Sequence, residues 1–239
     1  MNFRLSGLNN YQTYSYLDDL SATFVEFEAA THFDLGPFEV ENRTILNVAD
    51  LPSEIVLGPT NPFGTSGTGR ASGFGEILSA TFFSPKNGHK NYHLGIGPVF
   101  TFPTATEAGL GSEKWAVGPG AHFHTDLGKL TVGFFLWQSW SFAGDASKKE
   151  VNQLFGKPFL LYELSEKWNL VSIPLGLSHS WRSKSGERTT IPIGGGVRRL
   201  FKCHGHTLGL QAQVFDYVVR KPKDPEWELR FTIELIFDE

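Results

Sequence analysis

Lys129–Asp145 reads KLTVGFFLWQSWSFAGD, the most apolar stretch of the chain. Its even positions are Leu130, Val132, Phe134, Leu136, Gln138, Trp140 and Phe142. Its odd positions are Lys129, Thr131, Gly133, Phe135, Trp137, Ser139 and Ser141. One parity is nearly all large and apolar; the other is mixed, small and polar. That is the two-residue period of a strand, not the period of a helix. Alternation alone does not say which face is inside. The apolar parity fits either the core of a soluble sheet or an outer wall against lipid.

The same period recurs along the 239 residues, with almost no helical pattern. Strands are expected near 21–34, 37–49, 74–84, 90–103, 114–124, 129–142, 151–164, 168–182, 189–202, 207–220 and 226–237, with a weaker first strand within 3–17. About twelve strands result, each long enough to cross a tilted bilayer path. The last alternates most cleanly: Trp227, Leu229, Phe231, Ile233, Leu235 and Phe237 against Glu226, Glu228, Arg230, Thr232 and Glu234. Nothing divides the chain, so one domain over 1–239 is expected. No run of 18 apolar residues offers a membrane-spanning helix. The opening MNFRLSGLNN has no apolar stretch of signal-peptide length, so an exported chain would have lost its leader. The single Cys203 excludes an internal disulfide framework, and a net charge of -4 gives no reason for nucleic acid.

Three features put the apolar face in lipid. First, connections alternate in length: DLGP, 50–73, PKNGHK, TATEAGLGSEK, TDLG, AGDASKKE, SEK, RSKSGER, KCHGH, RKPKDPE. An up-and-down barrel puts alternate connections at opposite ends, and outer-membrane barrels keep the short ones periplasmic. Second, Trp115, Trp140, Trp181 and Trp227 lie near strand ends on the apolar face, as an aromatic girdle at the two membrane rims would require. Trp137 alone is central and on the other face. Third, that other face mixes many glycines with both charge signs. A crowded lumen uses small residues to bend its wall and to leave room for long charged partners. The residues expected to line the lumen are Glu26 and Glu28; Glu39, Glu41 and Arg43; His122 and His124; Trp137; Lys157; Arg198; and Glu228, Arg230 and Glu234. The charges of the last strand are expected to find partners across the lumen among Lys157, Arg198, Glu26 and Arg43.

LGIGPVFTFPTATEAGLGSEKWAVGPG, WSFAGD with the following VNQ, TIPIGGGV and DPEWELRFTIELIF occur in this order. In these the chain resembles a Gram-negative outer-membrane family labelled as transporters, or as outer-membrane proteins of the meta-pathway of phenol degradation, and sometimes misnamed neuromedin U. The resemblance covers about 74–239 well and the N-terminal third weakly. It implies a β-barrel that passes small, aromatic or hydrophobic solutes, and it supplies no catalytic residues. The ending departs from the pattern, because Asp238 and Glu239 follow the terminal aromatic Phe237.

Other candidate motifs resolve into plainer readings. GTSGTGRASGFG (Gly64–Gly75) has the glycine density of a phosphate loop but lacks its Gly-Lys-Ser/Thr ending, so an external loop is expected. CHGH (Cys203–His206) carries zinc-ligand types in a tight turn with no second cluster. His122 and His124 share a face and could bind a metal with His93, but imidazoles in a polar lumen are usually only hydrogen-bonded. Ser178 and His179 point to opposite faces and cannot act as a nucleophile–base pair. No enzyme activity, metal or cofactor is therefore expected. The reading is an antiparallel transmembrane barrel in the cell outer membrane, a channel or passive transporter. Its partners would be membrane lipid, a small-molecule solute and the barrel-assembly machinery during insertion. A soluble ligand-binding barrel and a structural barrel with a plugged lumen are the alternatives.

Overall fold

In the stretch that begins at Lys129, Phe134, Leu136, Trp140 and Phe142 are exposed, while Phe135, Trp137 and Ser139 are buried. The apolar parity is the outer face. The computed structural model describes residues 3–17, 20–52, 70–86, 91–107, 109–203, 206–222 and 224–236. These form β1 (Phe3–Leu17), β2 (Leu20–Leu35), β3 (Phe38–Pro52), β4 (Arg70–Phe74), β5 (Ile77–Pro85), β6 (Tyr92–Phe102), β7 (Lys114–Leu127), β8 (Leu130–Gly144), β9 (Asn152–Ser165), β10 (Trp168–Ser172), β11 (Leu177–Ser180), β12 (Thr189–Cys203), β13 (His206–Val219) and β14 (Trp227–Ile236).

All pairings are antiparallel, and they close on themselves. β1 pairs with β2 and, through Tyr11↔Thr232, with β14; β9 pairs with β10 and β11, and both of these pair with β12. β4 and β5 both pair with β3 and share one stave, as β10 and β11 share another. Fourteen strands therefore make twelve staves. Closure matters because hydrocarbon offers no water to an unpaired sheet edge. The hairpins β2–β3, β5–β6, β7–β8, β9–β10 and β12–β13 lie at one mouth with Phe3 and Ile236; the longer connections lie at the other, together with the short connection from Leu17 of β1 to Leu20 of β2. In the β7–β8 hairpin Gly128 takes φ +70°, a conformation that a side chain disfavours.

Two staves are interrupted, and side chains take over the backbone bonds there. At Gly75–Glu76, the Phe74 N–H donates to Thr106 Oγ1 (3.0 Å) and the Ile77 N–H to Thr104 Oγ1 (2.9 Å). Between β10 and β11, the Ile173 N–H donates to Gln213 Oε1 (2.9 Å), and the Ile173 carbonyl accepts from Arg230 Nη1 (2.6 Å). The expected loop Gly64–Gly75 is thus corrected in part, because Arg70–Phe74 is a strand on β3. The expected single strand 168–182 is split at residues 173–176, where Pro174 and Leu175 turn inward and are buried.

The outer face carries an exposed apolar belt that includes Phe27, Leu94, Ile96, Phe100, Leu170, Val197, Leu210, Val214, Phe231 and Ile233. A water-soluble surface rarely holds so large a continuous patch. Trp115, Trp140, Trp181 and Trp227 all point outward, but all four stand at the long-connection rim rather than at both rims. At the short-turn rim the exposed aromatics include Phe38, Tyr92, Tyr162 and Trp168. Arg199 lies over the Trp168 ring at 5.1 Å.

Candidate functional site in the barrel interior

Odd–even alternation delivers one inward side chain per two residues from the staves whose side chains are described, and these fill the interior. Glu26, Glu28, Glu41, His122, Trp137, Arg198, Glu228 and Arg230 are all buried, and Arg43, His124, Lys157 and Glu234 are partly so. Glu39 lies half-exposed at the short-turn mouth, against His32 at 3.4 Å.

Charges inside are paired, as burial of charge demands. Lys157 Nζ donates to Glu26 Oε1 at 2.7 Å. Arg43 donates to Glu28 Oε1 at 2.9 Å and also to Glu41. Arg198 meets Glu234 at 2.5 Å, so that charge of the last strand does find one of its expected partners. Glu228 and Arg230 pair with each other along β14, because inward residues two apart on one strand are neighbours, and Arg230 also reaches the Ile173 carbonyl three staves away. Tyr217 donates its hydroxyl to Glu228 at 2.6 Å, and Arg230 also sits over the Phe215 ring at 5.5 Å.

Two apolar clusters complete the filling. Trp137 stacks between Phe135 (4.4 Å) and Phe155 (5.2 Å), and Phe82 meets Phe135 edge-on at 5.3 Å. Glycine makes this possible: a Cβ on Gly95 would come within 2.9 Å of Phe82. Toward the long-connection mouth, Phe24, Leu51, Leu110 and Leu175 pack with Ala22, Ala49 and Ala71. Leu110 and Leu175 come from the β6–β7 connection and the β10–β11 break. Neither break nor inturned loop was legible in the sequence, since both sit in stretches with no alternation.

Pro98 faces Pro119 across the β6–β7 ladder, and neither can donate a ladder hydrogen bond. An apolar groove on the outer wall runs over this pair, lined by Phe38, Ile96, Val117 and Leu136 among others. At Gly118 the neighbouring Gln138 carbonyl oxygen would lie 1.8 Å from a Cβ, so the wall admits no side chain there.

At the long-connection rim, Glu76 is buried just beyond Ile77, whose ladder partner Phe102 packs on the rim residue Trp115. It accepts from the Ser112 N–H and Oγ (both 2.9 Å) and from the Glu113 N–H (3.0 Å). Burial pushes its carboxyl up to about 7, against the opposing pull of these donors. In the β13–β14 connection burial likewise raises Asp224, which accepts from Thr190 and from the Lys221 N–H.

Ser178 and His179 do not pair: Ser178 accepts from Lys221 Nζ at 3.0 Å, and His179 Nδ1 lies 2.8 Å from Thr189 Oγ1. The side chain of Cys203 and residues 204–205 of the CHGH turn lie outside the described residues.

No protein-family model matches the chain, and no curated protein matches it in sequence. Among solved structures, it is similar to the COG4313 outer membrane channel from Pseudomonas putida F1, with a TM-score of 0.67, 16% identity, and coverage of 99% of this chain and 97% of that one. The translocator domain of the autotransporter NalP from Neisseria meningitidis is more distant, with a TM-score of 0.47 and 10% identity over 100% of this chain and 89% of that one. Fold, closed ladder and apolar belt agree: the chain has the fold of an outer-membrane β-barrel.

Proposed function

We propose that this barrel is a channel or passive transporter for small, partly apolar solutes, caught here in a closed state. The observation that carries the reading is how the interior is closed. Side-chain contacts close it, the Lys157–Glu26 pair and the Phe24–Leu175 cluster, among the described residues. Opening such contacts moves side chains and leaves the backbone ladder paired, as rotamer and loop motions do. The stacked Trp137, Phe135 and Phe155 beside ion pairs suit an aromatic or hydrophobic solute better than a plain water pore. The fold-mate from Pseudomonas putida is described as an outer membrane channel. The meta-pathway resemblance supports the same solute class, and lipid, solute and the assembly machinery are the partners this reading needs.

The packed interior also favours a second reading, a structural barrel with a permanently plugged lumen. Planar-bilayer conductance and liposome swelling with neutral aromatic solutes separate the two. We expect measurable permeation by the native chain and an increase of several-fold in Trp137→Ala, which removes bulk from the stack. Absence of permeation in the native chain, in Trp137→Ala and in Lys157→Ala would establish the plugged reading.

A further inference from the structure

Glu41 on β3, His93 on β6 and His122 on β7 converge at the short-turn end of the interior, with one ligand atom from each lying within 4.8 Å of the others. We propose that these three residues form a binding site for a divalent transition-metal ion of the zinc class, reached from the short-turn mouth. Two imidazoles and a carboxylate are donors that zinc, cobalt, nickel and copper take readily.

The geometry already contains one edge of a coordination polyhedron. His122 Nδ1 stands 3.3 Å from Glu41 Oε2. Four ligands at about 2.0–2.1 Å in a tetrahedron are spaced roughly 3.3 Å apart. His93 lies further out, held by a 3.0 Å contact of its Nε2 with Ser84 Oγ. It needs a shift of roughly 1.5 Å to join, within the reach of a side-chain rotation. His124 stacks on His93 at 5.1 Å and 19°, and stands 5.5 Å from His122, so it limits the planes His93 can adopt.

Two further observations point to a cation rather than to a satisfied histidine cluster. His122 is 4% exposed, and among the described residues its Nδ1 is faced by Glu41 Oε2 at 3.3 Å in poor hydrogen-bond alignment. A buried ring nitrogen left so is costly unless something binds it. The carboxylates of Glu41 and Glu28 share the guanidinium of Arg43, which leaves an excess of negative charge beside the site. Arg43 Nη2 also stands 3.4 Å from His122 Nε2. Binding at Nδ1 moves the ring proton to Nε2, so no net proton is released from the neutral ring. The guanidinium must then turn toward Glu28, which it already contacts. Access is open, because His93 lines a cleft at the mouth with Glu39, Ser84, Lys86 and Tyr92.

An ion held here would tie β3, β6 and β7 together. The test is titration of the folded, tag-free barrel in detergent with Zn²⁺, and with Co²⁺ as a spectroscopic probe. We expect one ion per chain, a ligand-field absorption from bound Co²⁺, and a melting temperature that climbs with metal concentration. Loss of even an outer partner of a metal ligand typically costs 10–100-fold in affinity, so His93→Gln and His122→Gln should each weaken binding at least about 100-fold. His179→Gln, away from the cluster, should leave it unchanged. Should His122→Gln fail to fold, His93→Gln decides alone, since His93 sits at the edge of the cleft. Absence of saturable binding in the native barrel, or affinity unchanged in His93→Gln, overturns the site.

Discussion

Lys157 on β9 and Glu26 on β2 form an ion pair at 2.7 Å although their strands stand six staves apart on a ring of twelve. The pair therefore crosses the full width of the interior. Both side chains are largely removed from solvent, at 12% and 3% exposure. Removing one partner of a buried pair costs about 3–5 kcal/mol, whereas replacing both with apolar groups is often neutral. Lys157→Ala should therefore lower the unfolding midpoint in urea, and Lys157→Met combined with Glu26→Leu should restore most of it. Independent, additive losses in the two single variants would mean that the pair is not coupled.

The outer face gives a second prediction. Ile233 is 53% exposed, well below the Trp227 rim and inside the apolar belt. An arginine at the membrane midplane costs about 2–4 kcal/mol, falling to about 0–1 near the interface. Val218 is equally exposed, beyond the level where Asp216 pairs with Trp227. Ile233→Arg should impair folding into vesicles, and Val218→Arg should be nearly silent. Equal tolerance at both sites would place the lipid boundary elsewhere.

Glu76 gives a pH dependence with a defined sign. Its carboxyl titrates at about 7 when docked, against an ordinary value of 4.5. An acid whose folded value is raised holds its proton better when folded. The docked turn at Ser112–Glu113 is thus favoured in full below about 4.5 and loosens as pH rises through 7. The window is worth roughly 3 kcal/mol. Amide hydrogen exchange at Ser112 and Glu113, corrected for intrinsic rates, should speed up between pH 5 and pH 8. Glu76→Gln should flatten that difference.

Much of this fold is legible in the sequence because a barrel wall obeys one simple rule. Alternation such as Trp227, Phe231 and Ile233 against Glu228, Arg230 and Thr232 fixes strand and face together. What alternation lacks is register around the ring. The partners of Arg198 and Lys157 depend on how far each stave is staggered against the next, and no single strand encodes that. The breaks at Gly75–Glu76 and Ile173–Gly176 are hidden for a different reason. Their backbone bonds are replaced by Thr104, Thr106, Gln213 and Arg230, residues remote in sequence. The inner position Thr232 is fully packed, at 2% exposure, although its alternation marks only its face.

Arg230 has both an electrostatic and a structural place in the barrel. Alternation alone places it on the inner face, where a lining charge could tune ion preference. Its contacts give it a structural task as well. It holds Glu228 on its own strand and caps the Ile173 carbonyl, which the β10–β11 break frees from the ladder. Arg230→Ala leaves a carboxylate and a carbonyl without this donor in a dry interior, while Tyr217 still donates to Glu228. The carboxylate alone makes this a loss of about 3–5 kcal/mol. Arg230→Lys keeps the charge but cannot serve two acceptors with a planar fork, so it should recover only part of the stability. Thermal melts of the three proteins should therefore rank native, Arg230→Lys, Arg230→Ala. Reversal potentials separate the electrostatic role from the structural one: if the charge lines a conducting path, Arg230→Ala shifts toward cations and Arg230→Lys does not. Equal melting of all three proteins would mean that the break is held by Gln213 alone.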